Sequence, residues 1–487
     1  MNLARKTIPE LRKMLDSKEI SVRELTNTVL QQVNQKENDL KSFITVFEEK
    51  ELTPAIDAAQ KAIDNGTATD LTGIPCSVKD IFNMVGTRTT ASAKVLDNYI
   101  APYESTVTDR LKNAGAIIVG KTNMDAWAHG SSTETSDYGP SHNPWDITRH
   151  PGGSSGGSAS SVAGGQVPYS VGTETAGSIR GPASLTGITG LKGTYGRVPR
   201  YGVIAMGSSL DSPGPLTRTV QDAATVMKYI SGQDSHDGTS IQETPLKIDL
   251  SARKDLKGMK IGISNDYFSG AIEPGVVARV KEALEVLKEL GAEIREVEML
   301  NPEYAVAVYT IVCRSEVTSN LARYTGTRYG TFKTDPVRSV YDVFMNNRSI
   351  FGFEAKRRSM TGSYVLSKGY YDKYYKKAQQ VRTLIRKDYD RIFQDVDVFI
   401  SPTVPTVAEV IGNAINNPLF GEMADLLICA SAMAGVPGIS VPVGLSENLP
   451  VGMQVIGPAK AEERICQVAH LYQSATEFHK LIPAKYE

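Results

Sequence analysis

The sequence predicts an α/β protein. Short apolar runs of strand length alternate with helical periodicities along most of the chain. Glycine is plentiful at 42 residues while aromatic residues make up only 7%, which suits a loop-rich α/β enzyme better than a β-sandwich. At 487 residues the chain can bury a large core.

From the N-terminus, Ile8, Leu11, Met14 and Leu15 recur at helical spacing over residues 7–18. Ser21-Val22-Arg23-Glu24 is a capping box that opens a second helix, with Leu25, Val29 and Val33 on one face. Residues 42–47 read as a strand, and residues 51–64 as a helix stopped by Asn65-Gly66. Gly73–Phe82 reads as a buried strand carrying Lys79 in its middle. Residues 105–114 are a helix and 116–120 a parallel strand. Residues 158–163 form a short helix and 167–171 a buried strand. Gly187–Arg197 is a glycine-rich run, and Pro213–Leu216 with the helix 220–230 closes this block.

Residues 231–250 turn polar and charged, a surface connection. Strands on its two sides either form two domains or join one sheet. Residues 260–264 and 293–299 are strands, and between them 274–290 is an amphipathic helix ended by Gly291. Residues 302–395 are mostly helical and hold most of the tyrosines. Residues 396–400, 439–443 and 452–456 are three more strands, and 461–478 is the last helix.

Charge is balanced, 53 basic against 54 acidic residues, so no global basic field points to DNA or RNA. Contact with RNA has to be local or come through a partner. Cys76, Cys313, Cys429 and Cys466 are widely spaced, with no CxxC or Cys/His cluster. Structural zinc is not expected, and each cysteine reads as a small buried hydrophobe suited to a reducing cytoplasm. The N-terminus lacks the apolar core of a signal peptide, and no apolar run reaches membrane-spanning length.

The richest stretch is Pro151–Arg180. Gly152-Gly153-Ser154-Ser155-Gly156-Gly157-Ser158 and Thr175-Ala176-Gly177-Ser178 flank an apolar segment, which a flexible linker would not contain. Bare N–H groups around a serine can hold an oxyanion. A serine nucleophile needs a base. None of the six histidines lies in a triad motif, and no G-x-S-x-G elbow is present. A neutral lysine is the other base, and Lys79 is the candidate, because an apolar strand lowers its pKa by desolvation. Nucleotide-binding glycine patterns are absent; Leu191-Lys192-Gly193-Thr194 has the wrong order for a phosphate loop.

Lys79, the 152–158 cluster and Thr175-Ala176-Gly177-Ser178-Ile179-Arg180 together resemble the amidase-signature family. The resemblance implies a single α/β/α domain over residues 1–487, with a large mixed β-sheet core flanked by helices. Its catalytic signature spans about 73–230, and a mostly helical region at about 302–395 covers the substrate. It assigns the base to Lys79, a bridging serine after a cis peptide bond to Ser154, and the nucleophile to Ser178. The oxyanion hole falls to the N–H groups of Thr175, Ala176, Gly177 and Ser178.

Further stretches, among them Gly130–Ser136, Thr194–Val198, Lys356–Arg358 and Gly369–Asp372, resemble family members that serve as glutaminase subunits of heterotrimeric tRNA-dependent amidotransferases. Those members place an arginine matching Arg358 on the glutamine carboxylate. An aspartate matching Asp425 takes its amino group, and a tyrosine matching Tyr309 lines the pocket. They usually carry Asp and Gly where this chain has Glu174 and Ala176. The resemblance implies two partners, the B and C subunits of the amidotransferase, and a misacylated tRNA held through a partner. ATP and Mg2+ are used by the partner, and this chain binds no cofactor and no metal. It implies a cytoplasmic protein with no membrane and no DNA contact. The alternatives are a stand-alone amidase for a small or aryl amide and a non-catalytic scaffold.

Overall fold

The computed structural model describes residues 2–332, 336–417 and 420–486. The strands are β1 (Phe43–Val46), β2 (Pro75–Lys79), β3 (Ile117–Thr122), β4 (Tyr169–Glu174), β5 (Thr189–Lys192), β6 (Ser212–Thr217), β7 (Lys260–Ile263), β8 (Glu293–Glu296), β9 (Val398–Pro402), β10 (Gly438–Ser446) and β11 (Leu449–Ile456). They form one sheet in the order β1-β3-β2-β4-β6-β5-β10-β11-β9-β7-β8. β3, β2 and β4 run parallel, β4 through β9 pair antiparallel, and β9, β7 and β8 are parallel again. The sheet is mixed, as expected.

Every residue of β2, β3, β4, β6, β9 and β11 is buried. Covering a sheet on both faces produces this, and it explains why these strands read as short continuous apolar or small-residue runs. β5 and β10 pair Lys192 with Gly438 and Leu191 with Ile439, so strands from both sides of residue 240 share one sheet. The polar stretch after residue 231 is mostly exposed, as a surface connection requires.

Three elements differ from the sequence expectation. Gly187–Arg197 contains β5, Pro213–Leu216 lies within β6, and Arg180–Thr186 is helical. Pro213 and Pro215 argue against a central strand. They fit because β5 pairs only with Thr217 and Leu216, so the proline half of β6 has a ladder on one side alone. The 302–395 region is helical as expected, with helices Pro302–Leu321, Val340–Ser349, Phe353–Leu366 and Lys377–Ile392; residues 333–335 lie outside the described residues. No described helix is long and apolar enough to cross a membrane. All four cysteines are free and buried.

Candidate active site

β2 ends in Lys79, which is fully buried. Its Nζ lies 2.7 Å from Ser154 Oγ and donates to Thr173 Oγ1 at 3.0 Å. Burial pulls its pKa from the ordinary lysine range down to about 7, partly offset by the charges of Asp125, Asp211 and Glu174. A lysine in this setting holds a substantial neutral fraction near neutral pH.

Ser154 follows a cis peptide bond, Gly153–Ser154, and precedes the helix Gly156–Ala163. Asp125 frames this corner. Its N–H donates to the Ser154 carbonyl at 3.2 Å. Its carboxylate accepts from Thr133 N–H and Thr135 Oγ1, each at 2.9 Å. Gly153 has to be glycine, because a Cβ there would collide with the Asp125 carboxylate. The Ser178 carbonyl accepts from Ser155 N–H at 3.2 Å, which lays the backbone of Ser178 beside Ser154-Ser155.

Ser178 sits between β4 and the helix Arg180–Thr186. A buried ion pair holds this turn. Glu174 Oε1 meets Arg180 Nη2 at 2.6 Å and Nε at 2.9 Å, while Oε2 accepts from the N–H groups of Ile179 and Arg180 at 3.1 and 3.0 Å. Arg180 also reaches Ser431 and Gln454 at 3.0 and 2.8 Å, tying the turn to β11. The carboxylate thus occupies the donors that follow Ser178. The N–H groups of Ala176, Gly177 and Ser178 make no hydrogen bond among the described residues, so they are free to receive an oxyanion. Glu174, a departure from the usual aspartate, has its carboxylate fully engaged by this pair.

Asp425 seats its carboxylate against Gly177, where any side chain would collide with it, and accepts from Ser131 Oγ at 3.4 Å. Burial, reinforced by the nearby charge of Glu174, pushes its pKa up to about 8. Arg358 comes from the helix Phe353–Leu366 and donates through Nε to Glu354 at 2.6 Å. Burial is the largest influence and works against its charge, but Glu354, Tyr309 and Cys313 together outweigh it and raise the pKa. Tyr309, on Pro302–Leu321, is buried and lies in the fields of both Arg358 and Asp425.

The fold therefore gathers Lys79, Ser154 and Ser178 at one corner. It groups Tyr309, Arg358 and Asp425 in a second cluster, which touches the first at Gly177. A cavity of about 460 Å³ opens beside them, lined by Arg358, Ser131, Ser132, Glu134 and Phe353 among others. Ser178 and Asp425 are nearly buried and do not line it; Ser131, which donates to Asp425, does.

Sequence reasoning missed Asp125, Ser131 and the partnership of Glu174 with Arg180. Asp125 has no motif of its own; the glycines it abuts, Gly130 and Gly153, are the only signal. Two of the histidines are buried. His150 Nδ1 accepts from Gly152 N–H at 3.0 Å, a supporting role. His129 lines the cavity, and burial, with the Arg358 charge adding to it, keeps its ring neutral. No group of residues able to hold a metal ion occurs among the described residues.

An amidase family model matches residues 24–466. The chain belongs to the amidase family. It is 46% identical to the A subunit of the glutamyl-tRNA(Gln) amidotransferase of Caldanaerobacter subterraneus subsp. tengcongensis, over 98% of both chains. The crystal structure of the corresponding glutamyl-tRNA(Gln) amidotransferase A subunit from Thermotoga maritima superimposes with a TM-score of 0.79 at 36% identity, covering 96% of this chain and 94% of that one. A peptide amidase from Stenotrophomonas maltophilia superimposes at 0.81 with 28% identity, covering 97% of each chain. The amidase fold is common to both neighbours, and the sequence stands nearer the amidotransferase A subunits.

Proposed function

We propose that this amidase is the glutaminase subunit of a heterotrimeric tRNA-dependent amidotransferase. The chemistry runs on Lys79, Ser154 and Ser178. Neutral Lys79 takes a proton from Ser154 Oγ, which takes one from Ser178 Oγ. Ser178 attacks the side-chain carbonyl of glutamine, and the N–H groups of Ala176, Gly177 and Ser178, with Thr175 beside them, hold the oxyanion. Such a donor is worth about 3 kcal/mol. The proton returns through Ser154 to the departing nitrogen, ammonia leaves, and water hydrolyses the γ-glutamyl ester to glutamate.

The observation that carries glutamine as substrate is the seating of Asp425 on Gly177, one residue before Ser178, in the field of Arg358. An acid and a guanidinium beside an acyl-transfer centre suit the ammonium and carboxylate of an amino acid. A pocket for an uncharged aryl or small amide has no use for either. The ammonia passes to the B subunit, which with the C subunit completes the complex. There ATP and Mg2+ activate the glutamate of Glu-tRNA(Gln), or the aspartate of Asp-tRNA(Asn), in the cytoplasm. The full-length match to amidotransferase A subunits supports these partners.

The test is reconstitution. Parent protein with the B and C subunits, ATP, Mg2+ and Glu-tRNA(Gln) should form Gln-tRNA(Gln) from glutamine, and Ser178→Ala should do so only from added ammonium. A protein that hydrolyses uncharged amides as well as glutamine, and adds nothing to the B and C subunits, would return the reading to a stand-alone amidase.

A further inference from the structure

The helix Phe353–Leu366 is apolar on two sides. Its inner side buries Ala355, Arg358, Gly362 and Val365 against Pro302–Leu321, with Thr318 Oγ1 donating to the Ser359 carbonyl at 2.9 Å. Its outer side carries Phe353, Met360 and Tyr364, exposed to 80%, 74% and 50%. Spacings of seven and four put these three on one stripe. The stripe continues into an exposed aromatic cluster: the Tyr364 and Tyr370 rings lie 4.2 Å apart, and Tyr374 stacks on Tyr370 at 6.1 Å. Most of the exposed large apolar side chains among the described residues fall between Leu300 and Leu384. A solvated helix face is ordinarily polar, and a contiguous apolar patch marks a contact surface.

We infer that this stripe and the tyrosine cluster beside it are the docking surface for the subunit that consumes the ammonia. The inference rests on the function proposed above. Three observations choose this occupant. Phe353 lines the cavity that Arg358 also lines while remaining exposed, so the stripe starts at that cavity's mouth. Ammonia that has to reach an activated carboxyl without dilution must leave into the partner there. Next, the rim is basic: Lys356, Lys368, Lys373, Lys376 and Lys377 are exposed, with Asp372 the acidic residue among the last four. The matching face is an apolar centre bordered by carboxylates, the usual anatomy of a protein interface. Finally, Tyr364, Tyr370 and Tyr374 are of the type that anchors such interfaces. Tyrosines with lysines also suit RNA, but Phe353 and Met360, exposed to 80% and 74%, give the face an aliphatic and aromatic component that phosphates do not use, which favours a protein.

The test uses the double variant Met360→Glu/Tyr364→Glu, with Leu481→Glu, exposed on another element, as control. Binding to the purified pair of B and C subunits is measured by calorimetry, alongside thermal melting and glutamine hydrolysis by each isolated chain. The expected result is binding at least about 100-fold weaker for the double variant, about 2.7 kcal/mol, with parent-like melting and hydrolysis, and parent-like binding for Leu481→Glu. Hydrogen exchange on the unmutated complex reads the same face without any variant: amides of residues 353–374 should slow on adding the pair. Parent-like binding by the double variant, or no protection over 353–374, overturns the docking face. If the double variant keeps the subunits but loses direct tRNA binding, the surface is an RNA face and the inference is wrong. A parent chain that never binds the pair defeats the proposed function itself, and the docking face with it.

Discussion

The corner that holds Lys79, Ser154 and Ser178 and the helical cover that supplies Tyr309 and Arg358 are built by opposite means. At the corner, main-chain contacts dominate, joined by one buried ion pair. β2 ends at the lysine, Ser155 N–H grips the Ser178 carbonyl, and Asp125 and Glu174 each turn an oxygen to main-chain donors. In the cover, position comes from helix packing and from side-chain charge, with Arg358 held by Glu354 one turn away. The corner is sealed, and the cover keeps large apolar side chains in water. On the proposed function, the chemistry sits in the buried, tightly bonded region, while substrate choice and partner contact sit on the more exposed one.

The sharpest break between the two regions is at Ser178. Ser178→Ala should lower glutamine turnover by at least about 10⁴-fold, the scale on which nucleophile deletions act. Thermal stability should hardly change, because the carbonyl of Ser178 makes its contact with Ser155 and the substitution leaves that carbonyl in place. Lys79→Arg comes next, at about 10³-fold in kcat, since arginine stays protonated and cannot take the proton. On the proposed mechanism, the working form of Lys79 in the parent is neutral. Activity on an uncharged amide should then rise with pH up to about 7, its lowered pKa, and level off above it. A flat profile from pH 5 to 9 would assign the proton to another group.

Glu174→Gln tests the framing rather than the chemistry. It leaves the Arg180 guanidinium buried without its carboxylate, and breaking such a pair typically costs about 4 kcal/mol. With roughly 2.1 cal/mol/K of unfolding entropy per residue, the melting temperature should drop by about 4 °C, and turnover should fall with the loosened turn. A variant that melts and turns over like the parent would show that Gln454 and Ser431 suffice to hold Arg180.

The sequence carries these two regions unequally. Ser154 and Ser178 stand in glycine- and serine-rich runs whose composition has few other uses, and Lys79 stands in an apolar strand that makes it a candidate base, so the corner's residues are visible in the sequence while the resemblance joins them and assigns their roles. Most strands are legible too, because burial on both faces leaves continuous apolar runs. β6 is not, because two prolines speak against a strand and only the short reach of β5 excuses them. Arg358, Asp425 and Tyr309 are visible only through resemblance. An arginine on a helix or an aspartate ahead of Cys429 carries no local sign of its target, and tertiary packing alone joins them. Asp125 is invisible for the same reason.

For the cover, Arg358→Ala removes the proposed partner of the substrate carboxylate. Leaving that charge unpaired costs roughly 2–5 kcal/mol, so kcat/KM for glutamine should fall by about 100-fold or more, with an uncharged amide little affected. Equal losses on both substrates would mean a folding defect in Phe353–Leu366 instead of a lost contact.

The smallest expected effect is a pH dependence that separates the two regions in one experiment. Burial raises the pKa of Asp425 to about 8, yet in its proposed role it must be a carboxylate to receive an ammonium. Glutamine binding below pH 8 therefore has to expel a proton. Since one pKa unit is a factor of ten, KM for glutamine should rise about tenfold per unit as pH falls below 8, and calorimetry should record close to one proton released. Lys79 acts in kcat and shows the same limb for every substrate, whereas Asp425 acts in KM and only for an ammonium. An uncharged amide should thus lose rate through one protonation and glutamine through two. Asp425→Asn should abolish the second and leave the first. If KM for glutamine stays constant from pH 6 to 8 in the parent, the ammonium is not bound by Asp425, and the cover selects its substrate through Arg358 alone.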